Sequence, residues 1–449
     1  MFFPEGAFGP TNNCVGIAQV LRTRGHRVVF IIEESFAGTL EAKGFEERLM
    51  RLGPKPETEE VPGQFWIDYI RDTAPVFRLP TIEQLGAFIA PTWRALVDGA
   101  MFVHLRLAEI IDELEPDVVV EDNVVGFPAL ASSGRPWVRI VSCNPSEIKD
   151  PAVPPFSSGY ATDHRSAWPA FLDEVERTHR DLWAEFDTFS RENGDPGLTY
   201  GPLGPDFIAE SPWLNLFLYP EEADYTRHHS LGPTWWRLQS SVRTMTEGET
   251  WDVPDHIRSG RGALLYLSLG SLGSADVGLM QRLLDVLATT DHRVIVSMGP
   301  LADQIRLHDN QAGAGFLPQP AILPDVDLVI THGGNNTVTE AFHHGKPMIV
   351  LPLFWDQVDN AQRVLETAFG RRLRAYEFEP GELTGAIADL LADETLRRRL
   401  AAVSARSKAE PGTIRAANLI ERVARTGAPV TRKRRAQGRG GDRAVVSPA

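Results

Sequence analysis

A chain of 449 residues is long enough to hold two or three domains, each with a core of its own. With 43% apolar and 23% charged residues it reads as soluble and globular, and a formal charge of −15 excludes general nucleic-acid binding, because only the last few residues are strongly basic. Two cysteines, Cys14 and Cys143, make no disulfide framework; with no basic-then-apolar leader and no run near the ~20 apolar residues of a membrane helix, the expected location is cytoplasmic.

In chain order, residues 1–4 read as a short first strand and residues 5–13 as a glycine-containing loop. Residues 15–24 form an amphipathic helix with Val15, Ala18, Val20 and Leu21 on its buried side, ended by Gly25 and His26. Residues 27–32 are the second strand, so the chain opens as a βαβ unit. Residues 116–123 read as a buried strand ending in acids, with Glu121 and Asp122 on opposite faces because strand side chains alternate. Around that strand, residues 54–101 and 151–189 are rich in aromatic residues without a steady period. They suit helices packed on a sheet and, together, an apolar pocket.

Residues 240–259 turn polar and aperiodic, which marks a linker. A second α/β unit starts with a strand at 263–269, Gly270 and Ser271 at its end, a helix at 277–287 and another strand at 292–298. The glycines of GSLGS do not match the GxGxxG dinucleotide fingerprint, so a dehydrogenase reading is weak. Residues 380–425 read as helices. From Thr426 the chain is rich in Gly, Arg and Pro with almost no core-forming residues, and disorder is expected there.

The most informative stretch is 315–363. Residues 327–331 are a short, branched, buried strand; His332-Gly333-Gly334-Asn335-Asn336-Thr337 turns it into a helix over 338–344. Such a turn leaves unpaired backbone N–H groups at the positive end of a helix, a site for phosphate oxygens. A further strand at 348–351 leads to Asp356 and Gln357. Ligands of open α/β sheets bind beyond the carboxyl ends of strands, where both polar groups lie.

The spacing His332, Asn336, Thr337, Glu340, then Asp356-Gln357, with Pro318-Gln319 upstream, resembles the signature of the UDP-glycosyltransferase superfamily. Within it the chain is similar to bacterial natural-product, macrolide-type members of glycosyltransferase family 1. The resemblance implies an α/β, GT-B fold: two Rossmann-like parallel-sheet domains facing each other across a cleft. It places an acceptor-binding domain at 1–240, a linker at 241–259, a nucleotide-sugar domain at 260–405, a helix packing back at 406–425 and a basic tail at 426–449.

It further implies metal-independent, inverting transfer from a UDP-sugar co-substrate, with no other cofactor, to a hydroxyl of an apolar small molecule. The sugar by analogy is glucose, and the protein a monomer or homodimer. In that frame His332 and the N–H groups near Gly334, Asn336 and Thr337 take the diphosphate, with Ser271 adding a contact. Glu340 takes the ribose hydroxyls, Phe316 stacks on the base beside Gln319, and Asp356 and Gln357 hold the sugar.

One position departs from the pattern. Family members carry a basic His after the first strand; aligning the helix and its Arg24-Gly25-His26 turn puts Pro10 there, which has no ionisable group. Asp122 is the favoured replacement base and Glu5 the second. Alternatively, an acidic acceptor needs little help, or catalysis is lost. Two other functions compete: a nucleotide-sugar-binding protein without transfer, and a nucleotide-sugar epimerase.

Overall fold

The central strands of both halves are mostly apolar on both faces, which forces each sheet to be covered on both sides by helices. The computed structural model describes residues 1–55, 63–245 and 249–432. In the first half, β1 (Phe2–Pro4), β2 (Val29–Glu33), β3 (Glu46–Met50), β4 (Val119–Asp122), β5 (Trp137–Val141), β6 (Leu214–Leu218) and β7 (Trp235–Leu238) form a seven-stranded sheet. Its order is β3-β2-β1-β4-β5-β6-β7, all parallel. The second half gives β8 (Leu264–Ser268), β9 (Arg293–Ser297), β10 (Gln311–Ala314), β11 (Leu328–Thr331), β12 (Met348–Val350) and β13 (Gly370–Arg372). These pair in parallel in the order β10-β9-β8-β11-β12-β13.

In each sheet the strand order reverses beside the first strand, between β1 and β4 and between β8 and β11. Those two crevices are where an open parallel sheet binds ligands. The loops that leave β1, β5, β8 and β11 therefore carry the site.

Helix α1 runs Phe8–Thr23, seven residues earlier than expected at the start. Gly9 and Pro10 read as loop in the sequence, but Pro is tolerated in a first helical turn, whose N–H groups lack intrahelical partners in any case. The long helices α2 (Gln64–Thr73), α3 (Ala90–Leu114) and α4 (Trp168–Glu192) carry the aromatic segments. In the second half α5 (Val277–Leu287), α6 (Asn335–His344), α7 (Gln357–Glu366), α8 (Pro380–Ala392) and α9 (Glu394–Ala409) follow.

The chain then returns. The boundary expected at 405/406 falls inside α9, and the turn comes at Glu410 and Pro411, before α10 (Gly412–Thr426). Ala416, Ile420 and Val423 of α10 enter the first domain's core beside Val15, Ala18 and Leu216. The expected tail needs a correction at its start. Val430 is fully buried, its N–H donating to Trp213 O at 2.9 Å and its carbonyl accepting from Trp236 Nε1 at 3.0 Å. The rest of that tail, 433–449, lies outside the described residues. No helix among the described residues is long and apolar enough to cross a membrane.

Candidate active site

Between the two domains lies a cavity of about 370 Å³. All ten donor-site residues expected from the sequence line it: Ser271, Phe316, Gln319, His332, Gly334, Asn336, Thr337, Glu340, Asp356 and Gln357. Glu5 lines it from the other domain, together with Pro10.

His332 leaves the end of β11 and its ring sits between two glycines. A Cβ on Gly334 would lie 2.6 Å from its Nε2, and one on Gly270 2.6 Å from its Cε1. No real side chain fits at either position. Burial pushes the imidazole down to about 4, so it is neutral near pH 7, with the Ser268 backbone opposing the fall. Helix α6 starts beside it, with Gly334 as the residue before its first turn and its first intrahelical bond from Val338 N to Gly334 O at 3.1 Å. The amides of Asn335, Asn336 and Thr337 therefore point out of the helix end, as first-turn amides do. Asn336 also crosses the cleft: its Nδ2 donates to Gly9 O at 2.9 Å.

Further along α6, Gln319 Nε2 donates to Glu340 Oε2 at 2.6 Å and to Thr337 Oγ1 at 3.3 Å. Burial raises the Glu340 carboxyl to about 7, while Gln319 and the Arg243 charge pull the other way. Phe316 is 57% exposed and its ring lies 5.7 Å from that of Phe8, on α1, across the cleft. Asp356 accepts from the Asn144 backbone at 2.9 Å, and burial lifts its carboxyl to about 7. Gln357 Oε1 accepts from the amides of Leu353 and Phe354 at 3.1 and 3.3 Å. That leaves its NH2 group for a ligand.

Asp122, favoured from the sequence as the base, is not in the cavity wall. It is 3% exposed behind the wall, where Ser142 Oγ donates to its Oδ1 at 2.7 Å. Burial holds its carboxyl well above the usual range; Ser142 and Asn13 oppose the rise, and Glu147 and Glu5 add to it. The two carboxylates are coupled through the backbone, since β1 pairs with β4 and Glu5 N donates to Asp122 O at 3.0 Å. Glu5 itself is half-buried at the cavity edge, and burial, helped by the Glu147 charge, raises it to about 7. Glu121, on the other face of β4, is raised to about 8 by burial against the pull of Arg139.

Residues 281–422 match the model of the erythromycin biosynthesis protein CIII-like C-terminal domain. The chain is 25% identical over 440 residues to a demethyllactenocin mycarosyltransferase of Streptomyces fradiae, covering 94% of this chain and 85% of the relative. Among solved structures it is similar to the glycosyltransferase of kitacinnamycin, with a TM-score of 0.65 at 20% identity, covering 94% of this chain and 97% of that one. It is also similar to the glycosyltransferase VinC, solved in complex with DTDP, with a TM-score of 0.60 at 18% identity, covering 94% and 99%. These matches make the chain a glycosyltransferase similar to the bacterial natural-product members of glycosyltransferase family 1.

Several cavity residues of this glycosyltransferase were not found from its sequence. Trp355 lines the cavity and has φ +56°, a left-handed backbone costly for a bulky side chain. Its position just before Asp356-Gln357 was a signal available in the sequence. Phe354 packs on Phe77 and Phe88, with centroids 4.9 and 5.6 Å away. Of the expected aromatic residues, Trp66 and Phe88 reach the cavity, whereas Phe171 and Phe186 are fully buried core. Arg243 enters from the linker and is bonded to Glu249 at 2.9 Å. Nothing in the polar linker sequence distinguishes it. Ser142 and Cys143 follow β5, and burial among Asp356, Glu147, Glu5 and Asp122 keeps the Cys143 thiol protonated.

Proposed function

We propose that this glycosyltransferase moves glucose from UDP-glucose to a hydroxyl of an apolar small molecule with inversion and without a metal, using Glu5 as the general base. The observation that carries this is the position of Glu5, at the cavity edge opposite the donor residues, with a carboxyl raised by burial to about 7. A base whose pKa lies near the working pH is well matched to accept an acceptor proton.

In the step, the acceptor oxygen forms its bond to the anomeric carbon as the bond from that carbon to the diphosphate oxygen breaks. The leaving UDP takes the electron pair, and the hydroxyl proton goes to Glu5. One in-line displacement inverts the configuration. The first-turn amides of α6 and the neutral His332 stabilise the growing diphosphate charge as fixed donors. Glu340 accepts from the ribose hydroxyls, which favours a ribonucleotide over a deoxyribonucleotide donor. Asp356 and the Gln357 amide orient the sugar.

Asp122 serves as a positioning residue, its carbonyl holding the Glu5 amide. Two free thiols, Cys14 and Cys143, fit a reducing compartment such as the cytoplasm.

The test is UDP release from UDP-glucose with a panel of phenolic and aliphatic alcohols. Glu5→Gln lowers kcat/KM by about 10²- to 10⁴-fold, whereas Asp122→Asn, which keeps the backbone carbonyl that holds the Glu5 amide, changes it far less. Because the carboxylate is the active form, wild-type kcat/KM rises through a pH near 7 and the Gln variant loses that limb. Full turnover in Glu5→Gln removes Glu5 as base. Pro10 gives the binding-protein reading its own support: donor binding with no acceptor-dependent turnover on the whole panel favours it.

A further inference from the structure

The two halves of the chain meet at an aromatic pair in the wall of the main cavity. Phe8, in the first turn of α1, comes from the N-terminal domain; Phe316, just after β10, comes from the other, and both line the cavity. Their ring centroids lie 5.7 Å apart, with the planes 33° from parallel. Behind Phe8 stands Phe36, edge-on at 5.3 Å and 61° and only 1% exposed. Phe8 is thus backed by the core of its own domain, whereas Phe316 is more than half exposed.

A large aromatic face left exposed in a cavity between two domains gains free energy when something flat and apolar covers it. Of the parts of a nucleotide sugar, only the base is flat and aromatic; the ribose and hexose are saturated and polar, and the diphosphate is charged. A base fits between two rings whose centroids stand about 7 Å apart, twice the ordinary contact between stacked carbon atoms. The observed 5.7 Å falls about 1.3 Å short of that, a shift within the reach of one side chain on a loop. The neighbouring contact decides which ring moves. Asn336 Nδ2 donates to Gly9 O at 2.9 Å and so holds the first turn of α1 to α6, which leaves Phe316 as the ring with room to swing.

We propose that Phe8 is a donor-binding residue: the base of the nucleotide enters between the Phe316 and Phe8 rings and is held by both domains at once. The proposal rests on the reading of the protein as a user of nucleotide-sugar donors. It goes beyond that reading by giving the base a second ring, from the domain opposite the donor residues.

The experiment is calorimetric titration of UDP, and of inorganic pyrophosphate as a ligand without a base, into wild type, Phe8→Ala, Phe316→Ala and the double variant. Phe8→Ala weakens UDP by about ten-fold, the scale of one base–ring stack, and leaves pyrophosphate unchanged. In the Phe316→Ala background Phe8→Ala still costs several-fold, because each ring meets its own face of the base. Phe8→Tyr, which keeps a ring, restores UDP affinity, and Phe8→Leu does not. A ring-to-ring contact that only joins the domains gives another pattern: UDP and pyrophosphate change together, and the second substitution adds nothing to the first. That pattern overturns the proposal, as does unchanged UDP affinity in Phe8→Ala. The double variant decides by itself where pyrophosphate binds too weakly to titrate. A wild type that binds dTDP and not UDP removes the UDP reading, and the same cycle run with dTDP then decides the role of Phe8; a wild type that binds neither nucleotide overturns both. Absence of acceptor-dependent turnover removes the transferase reading alone, since the titrations need no acceptor.

Discussion

Two glycines fix the His332 ring. Because a Cβ at Gly334 or Gly270 would come within 2.6 Å of the His332 ring, the smallest substitution must turn the imidazole. Gly334→Ala is expected to raise the KM for the UDP-sugar by about ten-fold, the scale of one charge-assisted hydrogen bond. Acceptor KM changes little, and initial-rate kinetics varying each substrate separate the two. Gly270→Ala adds a backbone cost, since φ there is +72°. Glu340 supplies the second prediction at this scale. With the carboxylate set against a ribose diol, wild type prefers UDP over dTDP in a competition assay, and Glu340→Ala brings the two within about three-fold of each other. Equal affinities in the wild type would remove the ribose contact.

Helix α7 ties the two domains together at one carboxylate. Asp359 accepts from Ser157 N at 2.7 Å, Gly159 N at 2.8 Å and Ser146 Oγ at 2.9 Å, all on the loop that follows β5. On the same helix, Arg363 donates to Ala223 O and Asp224 O, both at 3.0 Å. Asp356, at the start of this helix, takes the Asn144 amide, so cavity lining and domain contacts share one element. Asp359→Ala leaves buried donors without an acceptor and is expected to lower stability by about 3 kcal/mol, read as a lower denaturant midpoint. An unchanged midpoint would mean that the three bonds are not made in solution. The start of α1 belongs to this scale as well. Its early first turn brings Phe8 against Phe316 and Gly9 against Asn336, contacts invisible while residues 5–13 read as loop.

For the molecule as a whole, buried titratable groups set how stability varies with pH. Glu5, Glu340 and Asp356 are raised to about 7 and Glu121 to about 8, each first by burial. A raised carboxyl keeps its proton in the folded chain after the unfolded chain has released its own, so stability falls as pH rises from about 4.5 towards the folded value. The buried imidazoles act oppositely. His179, His332 and His343 are lowered to about 4, so their contribution grows with pH and is complete by about 6.5, the free value. The two trends offset each other below that pH; above it the several raised carboxyls outweigh the single Met1 amino group, which burial lowers from 8.0 to about 5 and whose contribution still grows with pH. The melting temperature is therefore expected to drop by at least about 2 °C between pH 6.5 and 8. A scan in matched buffers that shows a rise over this interval contradicts the assignment.

The donor half was legible because its chemistry is local in sequence. A strand, a glycine turn and a helix within 315–363 carry His332, Asn336, Thr337 and Glu340 at offsets that the helix itself converts into one face of a cavity. Apolar runs likewise marked β1, β2 and β4 of the first sheet, β8, β9, β11 and β12 of the second and the helix at Val277–Leu287, but not β3, β5, β6, β7, β10 or β13. What only the tertiary structure decided is which carboxyl lines the cavity. Glu5 and Asp122 are far apart in sequence, and the pairing of β1 with β4 makes them neighbours. Ser142, just after β5, then covers Asp122 and leaves Glu5 at the cavity. Offsets within one element survive folding unchanged, whereas burial of a side chain depends on strands and helices that arrive from elsewhere in the chain. No pattern local to either residue records it.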